Sequence, residues 1–430
     1  MITLYSFFIG IAILFLFVDL IKIAIKEIFM TEQAFNQIVV LDCTEGIAGG
    51  YCTKLLADFG ATVTKIEKPG TGDTTRRMGP FLNDEPDIEK SGTFFYLNTN
   101  KRSITLNLAS ETGKDLFFKL LAKADVVVEN FAPGALAALG LSYELLAKKK
   151  PQIILTSITG FGQTGRYRDY KTTNLVTFGL SGAMYTSRPA THTSSRPVVE
   201  GGQQAEYTTG LLSFSATVAA LINRIDTGKG TWIDMSAQEC LASTLGANIS
   251  EYPYLGLSRK TNPFAIHGYP IGYSVPCKDG WISLTPGLGG APNIPLLIEA
   301  PELLEDPLFT KPAARMAEPQ KFDAILAPWL NEHTKWEITK QAQELKLAFT
   351  PVLTPGELLD DEQLNAKDFF VKTQHPVMGE VTYPGAPFRL SETPARVGKA
   401  PLLGEDNEAI YNGLGFSKED LVTLTQQGII

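Results

Sequence analysis

Short apolar runs alternate with helical segments from residue 38 to residue 158, and this alternation constrains the fold more than any other feature. Residues 38–41 form a continuous apolar run, which is typical of a strand buried in a parallel sheet. A loop containing Gly46, Gly49 and Gly50 follows, then helical spacing over residues 51–59 that ends at Gly60, then a second strand at 61–66. This strand–loop–helix–strand unit of about thirty residues is the repeat of a Rossmann-like sheet.

The same pattern continues with predicted strands at 103–108, 125–128, 153–158 and 231–235, and with helices at 110–124 and 211–222. The sequence therefore predicts an α/β fold with a large Rossmann-like domain over residues 30–250. Residues 251–275 are rich in Tyr, Pro and Gly and predict a linker, which opens a smaller mixed domain that extends to residue 360. A last helix is expected after Ser417.

The first 29 residues form an apolar extension with two interpretations. Residues 2–18 are almost entirely apolar, which is about the shortest length that spans a bilayer. Lys22 and Lys26 would then keep the following domain on the cytoplasmic side. Alternatively, translation starts at Met30. The segment lacks the basic start and small-residue cleavage site of a signal peptide.

Charge and cysteine usage exclude several classes of protein. The formal net charge of −8 argues against nucleic acid as a partner. The four cysteines are scattered and include no CxxC pair, which indicates a reducing compartment and predicts a cytoplasmic protein. The four histidines are also scattered, so no metal site is expected.

One carboxylate, Glu206, stands behind the glycines Gly201 and Gly202 at the start of a predicted buried helix. An acid in the first turn is stabilised by the positive end of the helix dipole, and this alone would explain its presence. A reactive acid would also suit this position, because glycines allow close approach of a substrate. The local sequence leaves both interpretations open.

Residues 160–165 read GFGQTG and match the GxGxxG pattern of dinucleotide-binding proteins. That motif requires a helix directly after it, whereas residues 166–171 show no apolar helical face. The pattern also falls at the far end of the predicted sheet. We therefore interpret residues 160–165 as a glycine loop over an active site rather than as the nucleotide-binding motif of a dehydrogenase.

Several short phrases, in order along nearly the whole chain from residue 38, together resemble the class III CoA-transferases (CaiB/BaiF family). They are VLD (40–42), KIE (65–67), GTGD (70–73), NKRSI (100–104), VENF (128–131), GFGQ (160–163), TGKG (227–230), KDGW (278–281), GAP (385–387) and APLLG (400–404). The resemblance implies that residues 361–430 return to the large domain, and that two chains interlock like linked rings.

The resemblance also implies a chemistry, the transfer of CoA from an acyl-CoA to a carboxylic acid. A carboxylate of the protein attacks the thioester, gives a mixed anhydride and then carries CoA as a thioester, so the free energy of the thioester is retained. Coenzyme A would be a substrate, with no permanently bound cofactor. The expected partners are an acyl-CoA, a carboxylic acid, and either an identical chain or a sister chain.

The family's nucleophilic aspartate corresponds to Glu206 in this sequence. Backbone amides near Gly201, Gly202 or Gly49 would stabilise the oxyanion. The resemblance assigns CoA binding to Ala48, Lys68, Leu106, Asn130, Phe131 and Lys171. Further cations expected near the CoA phosphates are Arg76, Arg77, Lys101 and Arg102.

Several positions depart from the family pattern. Asn174 replaces an acid, Ala138 stands where an arginine usually helps to bind CoA, and a lysine common near Ala109 is absent. Glu45 and Ile47 replace polar residues that some members place over the catalytic acid. The glycine-rich flap of the formyl-CoA enzymes is reduced to residues 267–268, which argues against formyl-CoA and oxalate as substrates.

These departures leave more than one function open. The first is an active CoA-transferase that uses Glu206, and the second is a non-catalytic subunit paired with a sister chain that carries Asp. An α-methylacyl-CoA racemase is disfavoured, because no histidine is placed for its proton relay. Aromatic residues of the linker would suit a bulky acid, namely Tyr252, Tyr254, Phe264, Tyr269 and Tyr273.

Overall fold

The computed structural model describes residues 33–187, 197–256, 273–285 and 291–430. Contacts divide the chain into two compact units. The first comprises the described residues up to Lys171, together with Glu206–Cys240 and Phe369–Ile430. The second comprises Thr172–Ala205 and Leu241–Asp368. Each unit is thus built from segments that are distant in sequence.

Six strands form one parallel sheet in the first unit. They are β1 (Val39–Cys43), β2 (Thr62–Glu67), β3 (Arg102–Thr105), β4 (Val126–Glu129), β5 (Ile154–Thr159) and β6 (Trp232–Ser236). Their order across the sheet is β3-β2-β1-β4-β5-β6, and every neighbouring pair is parallel. This order confirms the predicted α/β, Rossmann-like architecture. It places the topological switch between β1 and β4, where open α/β sheets bind ligands beyond the carboxyl ends of the strands.

The remaining strands are antiparallel. In the first unit, β10 (Phe370–His375) pairs with β11 (Gly379–Pro384). In the second unit, β7 (Tyr273–Cys277), β8 (Gly280–Leu284) and β9 (Phe349–Pro351) form a small sheet. A separate core that includes Ile282, Phe309, Phe322, Ile338 and Phe349 packs against this sheet.

The α-helices are numbered along the chain. They are α1 (Ile47–Asp58), α2 (Gly92–Leu97), α3 (Glu111–Leu121), α4 (Ala135–Ala138), α5 (Tyr143–Lys149), α6 (Asn174–Ser181), α7 (Ala183–Thr186), α8 (Gln204–Thr227), α9 (Ala237–Ser243), α10 (Gly246–Leu255), α11 (Ile294–Leu297), α12 (Pro307–Thr310), α13 (Pro312–Ala317), α14 (Pro319–Glu332), α15 (Lys335–Glu344), α16 (Pro355–Leu359), α17 (Glu362–Ala366), α18 (Asn407–Asn412) and α19 (Lys418–Gln426). Single-turn 3₁₀ helices lie at Thr74–Arg77, Leu82–Asp84, Ala291–Asn293 and Pro301–Leu303.

Helices cover both faces of the parallel sheet, as the continuous apolar strands predict. On one face, Leu41 and Cys43 pack with Phe117 of α3 and with residues of α18 and α19. On the other face, Val40 packs with Leu55 and Leu56 of α1 and with Phe214 of α8. Two helices, α1 and α8, therefore meet on the same side of the sheet, and this meeting positions the candidate site.

Helix α1 begins four residues earlier than the spacing of its apolar residues predicts. Gly49 and Gly50, which we expected in a loop, lie inside the helix. A Cβ atom on Gly49 would lie 2.3 Å from the Thr44 side chain, and one on Gly50 would lie 3.3 Å from Leu97 Cβ. These glycines thus serve close packing of the first helical turn rather than a turn conformation.

Several sequence-based expectations fall outside the described ranges, namely the apolar extension 1–29, the reduced flap at 267–268, Phe264 and Tyr269. Within the described ranges, no helix has the length and apolar character that crossing a bilayer requires.

Candidate active site

A buried network of charges closes the carboxyl edge of the sheet at the end of β1. The Asp42 carboxylate lies 3.0 Å from Lys101 Nζ and 3.7 Å from Lys65 Nζ, and it accepts a hydrogen bond from Thr53 Oγ1 at 2.7 Å. Burial by itself would raise the pKa of Asp42, but the two ammonium groups outweigh it and hold the pKa well below its usual range. The Lys65 ammonium also pairs with Asp73 at 2.7 Å.

Two of the cations that we expected near the CoA phosphates are instead buried in ion pairs with carboxylates of the protein. Lys101 is 4% exposed and is held by Asp42, and Arg76 is 0% exposed. The Arg76 guanidinium pairs with Glu67 and Glu89, each at 2.7 Å, and stacks 3.6 Å from the centroid of the Phe94 ring. The expectation is wrong for these two side chains, because buried carboxylates require them as partners.

A cavity of about 610 Å³ opens directly above this network. Its walls are residues 43–45, 66–69, 71–73 and 106–109, together with Phe131, Leu139 and Gly428. Most of these residues lie at the carboxyl ends of β1 and β2 or follow β2, β3 and β4, which is where the strand order predicts a ligand site. Three residues assigned to CoA binding, Lys68, Leu106 and Phe131, lie in the same wall.

The remaining residues assigned to CoA binding lie outside the cavity wall. Asn130 Oδ1 accepts a hydrogen bond from the Glu45 N–H at 2.9 Å and so holds the loop that follows β1. Ala48 lies in the first turn of α1, and Lys171 is exposed at the end of its segment of the first unit. Arg77 is also exposed, and Arg102 pairs with Asp406 at 3.1 Å.

Sequence reasoning missed the partner of Lys68. The Lys68 ammonium lies 2.8 Å from Glu45 Oε1, with 67% of the lysine side chain and 30% of the glutamate side chain exposed. Both residues follow neighbouring parallel strands, so their proximity could have been inferred once β1 and β2 were paired. The carboxylate therefore cancels much of the positive charge at the mouth of the cavity.

Glu206 lies in the first turn of α8, as the sequence predicts. Its carboxylate is half-buried and accepts a hydrogen bond from the backbone N–H of Ala48 in the first turn of α1. Burial raises the pKa of Glu206 above its ordinary value, and the Ala48 N–H opposes part of this rise. The carboxylate therefore lies at the positive ends of two helices, its own and α1.

Gly210 fixes the crossing of these two helices. A Cβ atom at this position would lie 2.5 Å from the Ala48 carbonyl oxygen and 3.1 Å from Tyr51 Cβ. Since Gly210 is one helical turn beyond Glu206, the close approach brings Glu206 within reach of Ala48. Glycine is required here for packing and not for its backbone conformation.

The N-terminus of α8 is also held within the second unit. Asn174, which replaces an acid of the family pattern, accepts a hydrogen bond from the Ala205 N–H at 3.0 Å through its Oδ1 atom. Gly201 and Gly202, whose amides we expected near the oxyanion, are exposed, and Gly202 has a φ of +78°. Asn174 thus caps the Ala205 N–H through a neutral amide oxygen.

The GFGQTG segment forms a loop, and the next helix, α6, begins only at Asn174. The Gln163 N–H donates to both carboxylate oxygens of Asp234 at 3.0 Å, and Gln163 Oε1 accepts from the Gly134 N–H at 3.3 Å. The glycines therefore let the loop dock on the segment after β4, and the helix that a dinucleotide fingerprint requires does not follow directly.

Comparison with known proteins agrees with this architecture. The family model "CoA-transferase family III" matches residues 35–407. A formyl-CoA:oxalate CoA-transferase from Streptomyces coelicolor is 34% identical over 421 residues, which cover 93% of this chain and 100% of that relative. A protein of the same name from Bradyrhizobium diazoefficiens is 32% identical over 423 residues and covers 93% of this chain and 97% of its own length.

Solved structures extend the comparison. The crystal structure of a CaiB/BaiF family protein from Brucella suis has a TM-score of 0.80 and 30% identity, and it covers 89% of this chain and 100% of its own. A hypothetical protein from Mycobacterium tuberculosis shares the fold, with a TM-score of 0.73 and 24% identity over 88% of this chain and 99% of its own. The chain therefore belongs to the class III CoA-transferase family (CaiB/BaiF family) and is a CoA-transferase.

Proposed function

We propose that this chain moves CoA between an acyl-CoA donor and a carboxylic acid acceptor, with Glu206 as the residue that carries first the acyl group and then CoA. One observation carries the proposal. The half-buried Glu206 carboxylate contacts the Ala48 N–H, and Ala48 lies only three residues beyond Glu45 in the cavity wall. A ligand in the cavity therefore needs to extend only along residues 45–48 to reach the Glu206 carboxylate.

The proposed steps balance without water. A Glu206 carboxylate oxygen attacks the thioester carbonyl carbon, and the C–S bond breaks. The CoA thiolate is released, and the acyl group is now joined to Glu206 as a mixed anhydride. The thiolate then attacks the glutamyl carbonyl, which releases the donor acid and leaves a glutamyl–CoA thioester. The acceptor carboxylate attacks that thioester, and the thiolate released attacks the acceptor's acyl carbon, which restores Glu206.

The surroundings of Glu206 support these steps. Negative charge develops on the glutamyl carbonyl oxygen each time that carbonyl is attacked. The Ala48 N–H and the positive end of α1 already face the carboxylate, so they are oriented to stabilise this charge without rearrangement. The raised pKa of Glu206 also makes its carboxylate more basic than an exposed one, which favours attack on a carbonyl carbon.

The cavity is proposed to hold CoA. Its wall combines apolar side chains such as Leu106, Phe131 and Leu139 with the Lys68 ammonium, which suits a ligand that has an apolar arm and phosphates. The relatives' names make formyl-CoA and oxalate the first donor and acceptor to test. The sequence-based argument against this pair rests on residues 267–268, outside the described part of the chain.

A second candidate is a non-catalytic subunit of a heteromeric transferase. Three substitutions favour it, namely Glu206 in place of Asp, the neutral Asn174 and Ala138 in place of Arg. In that case a sister chain with Asp would supply the nucleophile, and this chain would bind CoA without being acylated. The interlocked dimer expected from the family resemblance stays a prediction.

The test is to trap the covalent intermediate on the purified chain. The protein would be incubated with formyl-CoA, acetyl-CoA and benzoyl-CoA, treated with hydroxylamine or borohydride, and mapped by mass spectrometry. We expect a modified Glu206 that is absent in Glu206→Gln. Glu206→Asp should acylate on the order of a hundredfold more slowly, because the shorter side chain draws its carboxylate back by about 1 Å from the position that the helices define. CoA binding without any adduct would contradict the proposal and favour the non-catalytic subunit.

A further inference from the structure

Three tyrosine rings form a cluster at α1 and α8, the two helices that meet at Glu206, together with α2. Tyr51 belongs to α1, Tyr96 to α2 and Tyr207 to α8. The ring centroids of Tyr51 and Tyr207 are 5.1 Å apart, those of Tyr96 and Tyr207 are 6.2 Å apart, and those of Tyr51 and Tyr96 are 6.4 Å apart. Each ring thus contacts the other two.

The position of the cluster relative to the nucleophile follows from the helix crossing. Tyr207 directly follows Glu206, and Tyr51 lies about one turn beyond Ala48 on α1. Tyr51 Cβ would also be only 3.1 Å from a Cβ atom on Gly210. The cluster therefore begins about one helical turn from the Glu206 carboxylate.

The rings are not part of a sealed core. All three tyrosines are half-buried, so part of each side chain is open to a ligand. The hydroxyl groups of Tyr51 and Tyr96 are hydrogen-bonded to each other. The faces of these two rings are therefore the main surfaces that a ligand can contact. Partly exposed aromatic rings in contact are typical of a binding surface for an apolar or aromatic group.

The charges behind the rings cancel. Lys54 Nζ lies 5.1 Å from the Tyr96 ring centroid, but it pairs with Asp58 and donates to Thr99 Oγ1 at 2.7 Å. Lys54 and Asp58 are 2% and 1% exposed, so neither reaches a ligand. The negative face of an aromatic ring disfavours an anion, so a second carboxylate on a substrate would find no compensation from these groups.

Building on the proposed function of Glu206, we propose that the Tyr51–Tyr96–Tyr207 cluster selects the acyl group, and that the preferred substrate is the CoA thioester of an aromatic monocarboxylic acid. The aryl group would pack against the three rings while its carbonyl carbon meets the Glu206 carboxylate. A formyl or oxalyl group is too small to contact the cluster. The selection thus acts on the acyl moiety and leaves CoA binding in the separate cavity unchanged.

The test compares acylation of Glu206 by benzoyl-CoA and by acetyl-CoA in single-turnover experiments. Wild type should favour benzoyl-CoA. Tyr96→Leu and Tyr207→Leu should lower the rate with benzoyl-CoA by roughly tenfold to a hundredfold, the usual range for loss of part of an apolar pocket, and change the rate with acetyl-CoA little. Tyr96→Phe should keep the preference, because the ring remains. Tyr143→Leu provides a matched control, since Tyr143 is a half-buried tyrosine that packs on Trp232 elsewhere in the same unit.

The outcomes are distinguishable. Circular dichroism reports whether each variant is folded, and acylation by acetyl-CoA reports whether Glu206 is intact, independently of selectivity. Equal rates with the two donors in wild type, or an equal loss with both donors in Tyr96→Leu and Tyr207→Leu, would overturn the selective role of the cluster and leave the proposed function standing. Absence of any adduct in wild type would instead refute the proposed function, and the selectivity with it.

Discussion

The substitution Gly210→Ala tests the helix crossing that positions Glu206. Two effects oppose each other. Alanine in place of glycine inside a helix adds about 1 kcal/mol of stability. The new Cβ atom, however, would lie 2.5 Å from the Ala48 carbonyl oxygen, where an ordinary contact is roughly 3.5 Å. Helices α1 and α8 must therefore move apart by about 1 Å, and overpacking of this kind costs about 1–3 kcal/mol.

The displacement affects activity more than stability. We expect a net loss of at most about 2 kcal/mol in the free energy of unfolding, measured by urea denaturation. A shift of about 1 Å between Glu206 and the Ala48 N–H should slow acylation of Glu206 on the order of a hundredfold. Gly179→Ala is the matched control, because Gly179 lies exposed in α6 with no atom within 4 Å of its Cβ position. An unchanged acylation rate in a Gly210→Ala protein that is more stable than wild type would refute the reasoning.

Three further predictions concern charges. Because burial raises the pKa of Glu206, acylation should increase with pH through a midpoint above that of an ordinary glutamate, as followed by single-turnover trapping. The same raised pKa means that ionisation of Glu206 lowers the free energy of unfolding as pH rises. Glu206→Gln should therefore be more stable than wild type at neutral pH and lose this advantage in acid. Equal pH profiles of unfolding for the two proteins would contradict this prediction. Glu45→Gln should free the Lys68 ammonium and strengthen CoA binding a fewfold at low salt, in line with about 1 kcal/mol for such exposed pairs. Calorimetric titration measures this, with Glu318→Gln in the exposed Lys321–Glu318 pair as control, and unchanged or weaker binding by Glu45→Gln would count against it.

The architecture was predictable because parallel strands leave a strong local signal. The runs at β1 and β4 are short, rich in β-branched apolar residues and almost fully buried, and these features together favour strands over helices. The start of α1 was not predictable in the same way. Gly49 and Gly50 lower local helix propensity, and only packing against Thr44 and Leu97 shows why they are present.

The candidate site was predictable in part. The position of Glu206 in a first helical turn follows from the sequence, but its contact with Ala48 depends on a helix crossing that joins residues 158 positions apart. The roles of Arg76 and Lys101 were mistaken because a basic residue in a loop gives no local sign of a buried acidic partner. The tyrosine cluster was missed for a similar reason, since its members are separated by 45 and 111 residues.

The wall of the cavity has a consequence for how the protein is made. Its lining joins residues 43–45 to Gly428, and the Asn107 N–H donates to the Ile429 carbonyl at 2.7 Å. The cavity is therefore incomplete until the ribosome has added the C-terminal residues, several hundred residues after the first residues of its wall. Such distant pairing slows folding, and a ligand of this cavity would have no finished pocket to bind while the chain is growing. If CoA occupies the cavity as proposed, it would stabilise the completed protein by mass action and would not guide the nascent chain towards that state.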